Sequence, residues 1–417
     1  MTADTGDIVS TVRSQFGPAP PERIGVAVSG GGDSVALMQC LSQCFDGEDV
    51  TLFAATVDHG LRHESKDEAA FASEMATALG IEHTLLSWEG WDRTGNMQSA
   101  ARNARYGLLT GWARKRNIPM LTLGHTADDQ AETVLMRLGR SSGVTGLAAM
   151  SARSMRNGIT LMRPLLGITR AELRKFLSDR QICWVDDPSN TDDRYDRIKA
   201  RQALDVLQPL GISAEALSQV ASQMQEAREA LDWYTFLAAR DFVSVDCGNI
   251  LIEIRGFRTL PAEIARRLLQ HAITWISGAK YPARRAAMLR AVDQVRRGET
   301  LTLGGVHGFR VDTHMWLCRE FNAVRDHRAP ANDLWDGRWR AEGPNPDAVE
   351  LRVLGPEGLA MCETWRQAGR PRRAVIAVPG VWQGNTLLAA PAIGLAGEWT
   401  IDLAEGSEGF YASILSH

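Results

Sequence analysis

Between Arg23 and about Gly167 the chain alternates short apolar runs with longer segments whose apolar positions recur every three or four residues. The runs "RIGVAV", "VTLFAATV", "IEHTLLSW", "PMLTLG" and "GITLMRPL" predict strands. The spacing between them predicts helices over 33–45, 66–79, 98–116 and 128–138. Strands joined by helical crossovers predict an α/β fold, a doubly wound parallel sheet whose ligand lies outside the carboxyl ends of the strands.

From Thr169 the pattern turns helical. "TRAELRKFLSDR" opens with Thr169 and Glu172 at capping-box spacing, the turn-rich "WVDDPSNTDD" follows, and a helix is expected over 195–207. "QPLG" then closes a first domain, 1–210. A long amphipathic helix over 211–240, a hairpin in "FVSVDCGNILIEIRGF", two helices up to Arg297 and a hairpin in "GETLTLGGVHGFRVDTHMWLCRE" predict a mainly helical second domain, 211–325. Beyond the linker-like "DHRAPAND", residues 332–417 read as a small mixed C-terminal α/β domain.

A chain of 417 residues with 44% hydrophobic content can build several cores, and its formal net charge of −4 excludes a uniform coat of nucleic acid. An RNA partner would need a local basic surface. Residues 211–250 hold six acids against two bases, whereas 251–330 hold fourteen Lys or Arg against seven Asp or Glu. The cluster Arg266, Arg267, Arg284, Arg285, Arg290, Arg296 and Arg297 is dense enough for a phosphate-contacting face. No leader-like apolar segment opens the sequence and no run approaches a membrane span, so a cytoplasmic protein with no membrane association is expected. The six cysteines form no C-x-x-C pair, and Cys40 and Cys44, one helical turn apart, read as core filler.

The unusual residues gather at predicted strand ends. After the first strand come Ser29, Gly30, Gly31, Gly32, Asp33 and Ser34, a glycine loop that opens a helix and can cradle phosphate on backbone amides. The lysine of the common nucleotide-triphosphate loop is missing, so the loop is poorly suited to moving a terminal phosphate. It suits pyrophosphate as a leaving group. Asp33 would repel a bare phosphate unless it orients the loop or helps to hold Mg²⁺.

With this context "SGGGDS" resembles the loop of the PP-loop ATP pyrophosphatases. Together with "VDHGLRHES", "QSAARNARY", "GHTADDQAETVLMRLGRSSGVTGLAAM", "RPLLGITRAEL" and "WVDDPSNTDDRYDRIKAR", it makes roughly residues 22–202 resemble the tRNA(Ile)-lysidine synthetase family. Beyond about residue 211 the likeness is loose, resting on domain order and the basic stretch.

The resemblance implies an adenine nucleotide alpha hydrolase-like domain followed by tRNA-binding parts. It implies ATP as substrate with Mg²⁺, a CAU-anticodon tRNA(Ile) and free L-lysine: the wobble cytidine's C2 oxygen is adenylated, and the lysine ε-amine displaces AMP. The family often forms homodimers, though no dimer seam is legible here. Carried over residue by residue, Ser29 to Ser34 hold the phosphates, and Asp33, Arg105, Asp129, Glu132 and Arg197 line the reaction site. Asp129 and Glu132, three apart on one helix face, would take the lysine ammonium and its proton, and Arg105 the α-phosphate. Ile198 stands in place of the family's asparagine and Ala200 in its apolar slot, a departure from the pattern, while Arg197 and Arg201 match.

Bland roles compete with these. Asp128 and Asp129 also suit a helix cap, His125 a structural histidine, and Asp187 and Asn190 a turn. The rival chemistry is a PP-loop base thiolase, which generally needs a reactive cysteine pair that this sequence does not offer.

Overall fold

In the computed structural model, which describes residues 5–58, 60, 65–88, 97–185, 196–395 and 397–415, the chain divides into two compact units, 1–228 and 229–417. In the first unit α1 (Thr5–Ser14) precedes β1 (Arg23–Ala27), α2 (Gly32–Cys44), β2 (Thr51–Asp58), α3 (Ser65–Ala78) and β3 (Glu82–Ser87). Then come α4 (Met97–Lys115), β4 (Met120–Leu123), α5 (Ala127–Leu138), the single turn α6 (Val144–Leu147), β5 (Arg153–Arg156) and β6 (Ile159–Met162). Helices α7 (Arg170–Ser178), α8 (Asp196–Leu207) and α9 (Ala214–Phe242) follow, and the division between units falls inside α9.

The six strands form one sheet in the order β3-β2-β1-β4-β6-β5, parallel except for β5. Strand alternation loads both faces. Ile24, Val26, Leu52, Ala54, Met120 and Met162 pack into one core with α1, α2 and α7. Ala27, Phe53, Ala55, Leu121, Leu123 and Leu161 pack on the other side with Tyr106, Leu109 and Trp112 of α4. Completely buried side chains such as Ile24 and Leu37 each contribute about 1.5–3 kcal/mol of burial. Chain order reverses between β1 and β4, so the crevice at their carboxyl ends is the topological switch point of the sheet.

This is the doubly wound sheet that the apolar pattern predicts. Three elements lay outside that expectation: α1, whose Ile8 and Val12 enter the core; α6; and the edge strand β5, which turns into β6 through Asn157 and Gly158 at φ 51° and 77°.

The second unit carries β7 (Val243–Asp246) and β8 (Asn249–Glu253), then three helices where two were expected: α10 (Ile254–Thr259), α11 (Ala262–Ser277) and α12 (Arg285–Arg297). Strands β9 (Leu301–Leu303), β10 (Val306–Val311) and β11 (His314–Arg319) join the first hairpin in one antiparallel sheet, β7-β8-β11-β10-β9. A separate core around Trp335, Trp339, Leu351, Val381 and Trp382 organises a four-stranded and a two-stranded sheet. No described helix is long and apolar enough to cross a membrane.

Candidate active site

The loop after β1 turns at Gly30, whose φ is +83° and whose missing Cβ would stand 3.2 Å from the Glu68 carbonyl oxygen. Only glycine meets both demands. Gly31 caps α2 in an extended conformation and, as a glycine, puts no side chain of its own over the helix start, so the first amides can donate to an anion. Ser34 stiffens this cradle: its hydroxyl donates to the Gly31 carbonyl (2.8 Å) and accepts from the Ser29 amide (3.1 Å). The Ser29 hydroxyl contacts Ser34 Oγ at 3.2 Å in an exposed residue. From behind, the Val185 amide donates to the Gly30 carbonyl (3.0 Å), and Trp184 lies against Gly32.

The end of β4 touches the same loop. A Cβ on Gly124 would stand 3.1 Å from the Asp33 carbonyl oxygen and 3.2 Å from Ser34 Cα. A glycine therefore lets α5 start beside α2. Thr126 caps α5 in a capping box with Asp129: the Thr126 amide and hydroxyl donate to Asp129 Oδ2 at 2.9 and 3.0 Å.

The other Asp129 oxygen, Glu132 and Asp33 converge on one guanidinium. Arg170, the first residue of α7, donates from Nη2 to Asp129 Oδ1 (2.9 Å), from Nη1 to Glu132 Oε1 (2.9 Å) and from Nε to Asp33 Oδ2 (3.2 Å). Its backbone amide donates to Asp128 Oδ2 (2.8 Å). Arg201 of α8 donates twice more to Glu132 Oε1, at 3.1 and 3.0 Å, so the Glu132 side chain, 1% exposed, is doubly paired.

Electrostatics separate these acids. Burial holds the Asp33 carboxyl above its usual range despite Arg170. Burial also pushes Asp129 upward, but Arg170, the Thr126 amide and Arg197 outweigh it and hold Asp129 below its usual range. His125 falls to about 3 through burial, assisted by Arg163, Arg105 and Arg102 against Asp129, and its buried Nδ1 has no hydrogen-bond partner among the described residues. It is a neutral imidazole at physiological pH.

Arg105 on α4 has no carboxylate partner among the described residues, and Arg197 on α8 acts on Asp129 by charge without a hydrogen bond to it. Residues 59 and 61–64 of the "VDHGLRHES" stretch, Asp187 and Asn190 lie outside the described residues. Arg170 was not singled out in the sequence. The available signal was a deficit of cations: Asp33, Asp128, Asp129 and Glu132 at strand ends need a buried counter-charge, and "RPLLGITRAEL" contains one.

In the second unit the basic cluster is of mixed character. Arg267, 9% exposed, pairs with Asp232 (2.6 Å) and Glu263 (3.0 Å), and Arg266 pairs with Glu263 (2.6 Å). Arg296 donates to the Leu260 carbonyl (3.0 Å) and Arg297 pairs with Glu299 (2.8 Å). Arg284, Arg285 and Arg290 are exposed and without carboxylate partners among the described residues.

A cradle of backbone amides at a switch point, with a carboxylate cluster on the next strand end and no loop lysine, defines a PP-loop nucleotide-binding domain, and the PP-loop domain family matches residues 6–207. The chain is 55% identical over 417 residues, the whole of both chains, to the tRNA(Ile)-lysidine synthase of Ruegeria pomeroyi. It is 36% identical over 349 residues to that of Wolbachia pipientis, covering 81% of this chain and 79% of the other. The chain belongs to the tRNA(Ile)-lysidine synthase family. Among solved structures, a U34-tRNA thiolase of Methanococcus maripaludis is 19% identical with a TM-score of 0.46, over 53% of this chain and 78% of that one.

Proposed function

We propose that this protein adenylates the C2 oxygen of the wobble cytidine in a CAU-anticodon tRNA(Ile) and replaces that oxygen with the ε-amine of free L-lysine. In the first step the oxygen attacks the α-phosphorus of ATP and pyrophosphate leaves. In the second the amine, having lost a proton, forms the N–C2 bond while the C2–O bond breaks and AMP departs. The reaction belongs in the cytoplasm, where the three substrates meet.

The observation that carries this reading is the junction at Arg170. One guanidinium joins Asp33 of the glycine loop to Asp129 and Glu132 on α5, which supports a reading in which the acids act beside the loop that would hold the phosphates. Ser29 to Ser34 would hold the phosphates, Asp129 and Glu132 would receive the lysine ammonium, and Arg105 and Arg197 would face the charge on the α-phosphate. Asp33 has one oxygen on Arg170, and no group of three metal-ligating side chains gathers among the described residues. Mg²⁺ would therefore arrive on the triphosphate, as the ion's preference for phosphate and water ligands allows.

Thiolation is disfavoured by the cysteines. Cys40 and Cys44 are buried in α2, and burial pushes their thiols up to about 12 and about 11, the reverse of an activated thiolate. Purified protein, ATP, labelled lysine and unmodified tRNA(Ile) test the reading: lysine on RNA matched by AMP supports it, and AMP without lysine on RNA overturns the choice of nucleophile.

A further inference from the structure

We infer that Arg170 is a positioning residue that controls the proton affinity of the incoming lysine amine, acting through the three carboxylates it joins. The inference rests on the proposed docking of that amine at Asp129 and Glu132.

The amine poses a conflict. A free lysine side chain titrates near ~10.4, and only the neutral form attacks. Carboxylates that attract the ammonium also raise its proton affinity, so a purely acidic pocket binds lysine tightly and leaves it unreactive. A cation within the same cluster lowers that affinity while leaving enough negative charge to attract the substrate.

The groups around Arg170 have this arrangement. From α2 comes Asp33, and from α5 come Asp128, Asp129 and Glu132. From α8, Arg201 contacts Glu132 directly and Arg197 acts on Asp129 by charge. His125, at the start of α5, contributes no charge at neutral pH. Three carboxylates thus meet two directly bonded guanidiniums, and a fourth, Asp128, accepts from the Arg170 backbone amide. Removal of Arg170 leaves Arg201 alone among them. Each N–H-bearing nitrogen of Arg170 is committed to a different carboxylate, and its side chain is 20% exposed, so it is fixed in place. It is a built-in cation rather than a mobile surface charge.

The test is the pH dependence of single-turnover lysine transfer by the full chain, with wild type, Arg170→Gln and Arg170→Lys. In Arg170→Gln the KM for lysine should fall, because the pocket is more anionic, while kcat at pH 7 falls roughly tenfold or more and the acid limb moves up by about one pH unit. Arg170→Lys, which keeps the charge without the fork, should return the limb toward its wild-type position. Pyrophosphate release without lysine, followed in parallel, reports the loss of the Asp33 contact by itself, so the shift of the lysine-transfer limb is read relative to it.

A higher KM with an unmoved acid limb in Arg170→Gln would show a merely structural role and overturn the proposal. If that variant does not fold, Arg170→Lys decides: a limb displaced as far as one pH unit despite the retained charge contradicts the inference, and a retained limb supports it. Failure of the wild type to transfer lysine at all is a separate result, which removes the underlying reading.

Discussion

Replacing Glu132 by Gln keeps the side chain's shape and its acceptor oxygen but removes its charge. In the structure Glu132 Oε1 accepts one hydrogen bond from Arg170 and two from Arg201, in a side chain 1% exposed. Hydrogen bonds to a charged partner contribute about 1.5–3 kcal/mol each and neutral ones about 0.5–1.5. Weakening three of them, two from one guanidinium, should cost roughly 2–4 kcal/mol. For a unit of this size that lowers the melting temperature by about 4–16 °C. If the carboxylate also carries the lysine ammonium, lysine transfer should fall at least ~100-fold, equivalent to about 2.7 kcal/mol of transition-state stabilisation. Melting by circular dichroism and single-turnover transfer of labelled lysine separate the two effects at a temperature where the variant is folded. Transfer within a few fold of wild type would refute the placement of Glu132 in the site, and an unchanged melting temperature would refute the energetics of its pairing.

Asp33→Asn should abolish RNA-dependent pyrophosphate release yet raise the melting temperature at pH 8: with its pKa raised in the fold, ionised Asp33 costs stability as pH rises through that value, and the amide removes the cost. A lower melting temperature at pH 8 would reverse that sign. His125, shifted from 6.5 to about 3, should make the first unit lose stability as pH falls through this window, because the unfolded chain takes up the proton first. His125→Asn should flatten the slope, by at most about 1.4 kcal/mol per pH unit, and parallel melting curves from pH 6.5 to 4 would count against it. Arg284, Arg285 and Arg290 changed together to Ala should weaken tRNA binding and reduce the slope of log K against log salt by about 0.9 per lost phosphate contact. An unchanged slope in a filter-binding titration would make these arginines ordinary solvated surface.

Much of the α/β unit was legible because its strands are buried on both faces, and a buried parallel strand writes itself as an unbroken apolar run. β1 and β2 are of this kind, with Ile24, Val26, Leu52 and Ala54 turned to one core and Phe53 and Ala55 to the other. β5 was not legible for the opposite reason: "RSMR" lies on an edge, exposed on alternate positions, and only the Asn157-Gly158 turn marked it. The glycine loop and the acids of α5 could be found in the sequence because each is local. Arg170 is marked only indirectly, by the shortage of cations among those acids, since it reaches Asp33 across 137 residues of chain. The basic stretch shows the same limit. Charge density marked seven arginines alike, whereas packing commits Arg266 and Arg267 to Glu263 and Asp232 and leaves Arg284, Arg285 and Arg290 exposed.

The most direct test of the central claim follows two products at once: acid-stable labelled lysine on an unmodified CAU-anticodon tRNA(Ile), and AMP released from ATP. One lysine bound per AMP formed, with both signals lost in Asp129→Asn, is the predicted result. AMP formation that neither requires lysine nor leaves it on the RNA would contradict the account.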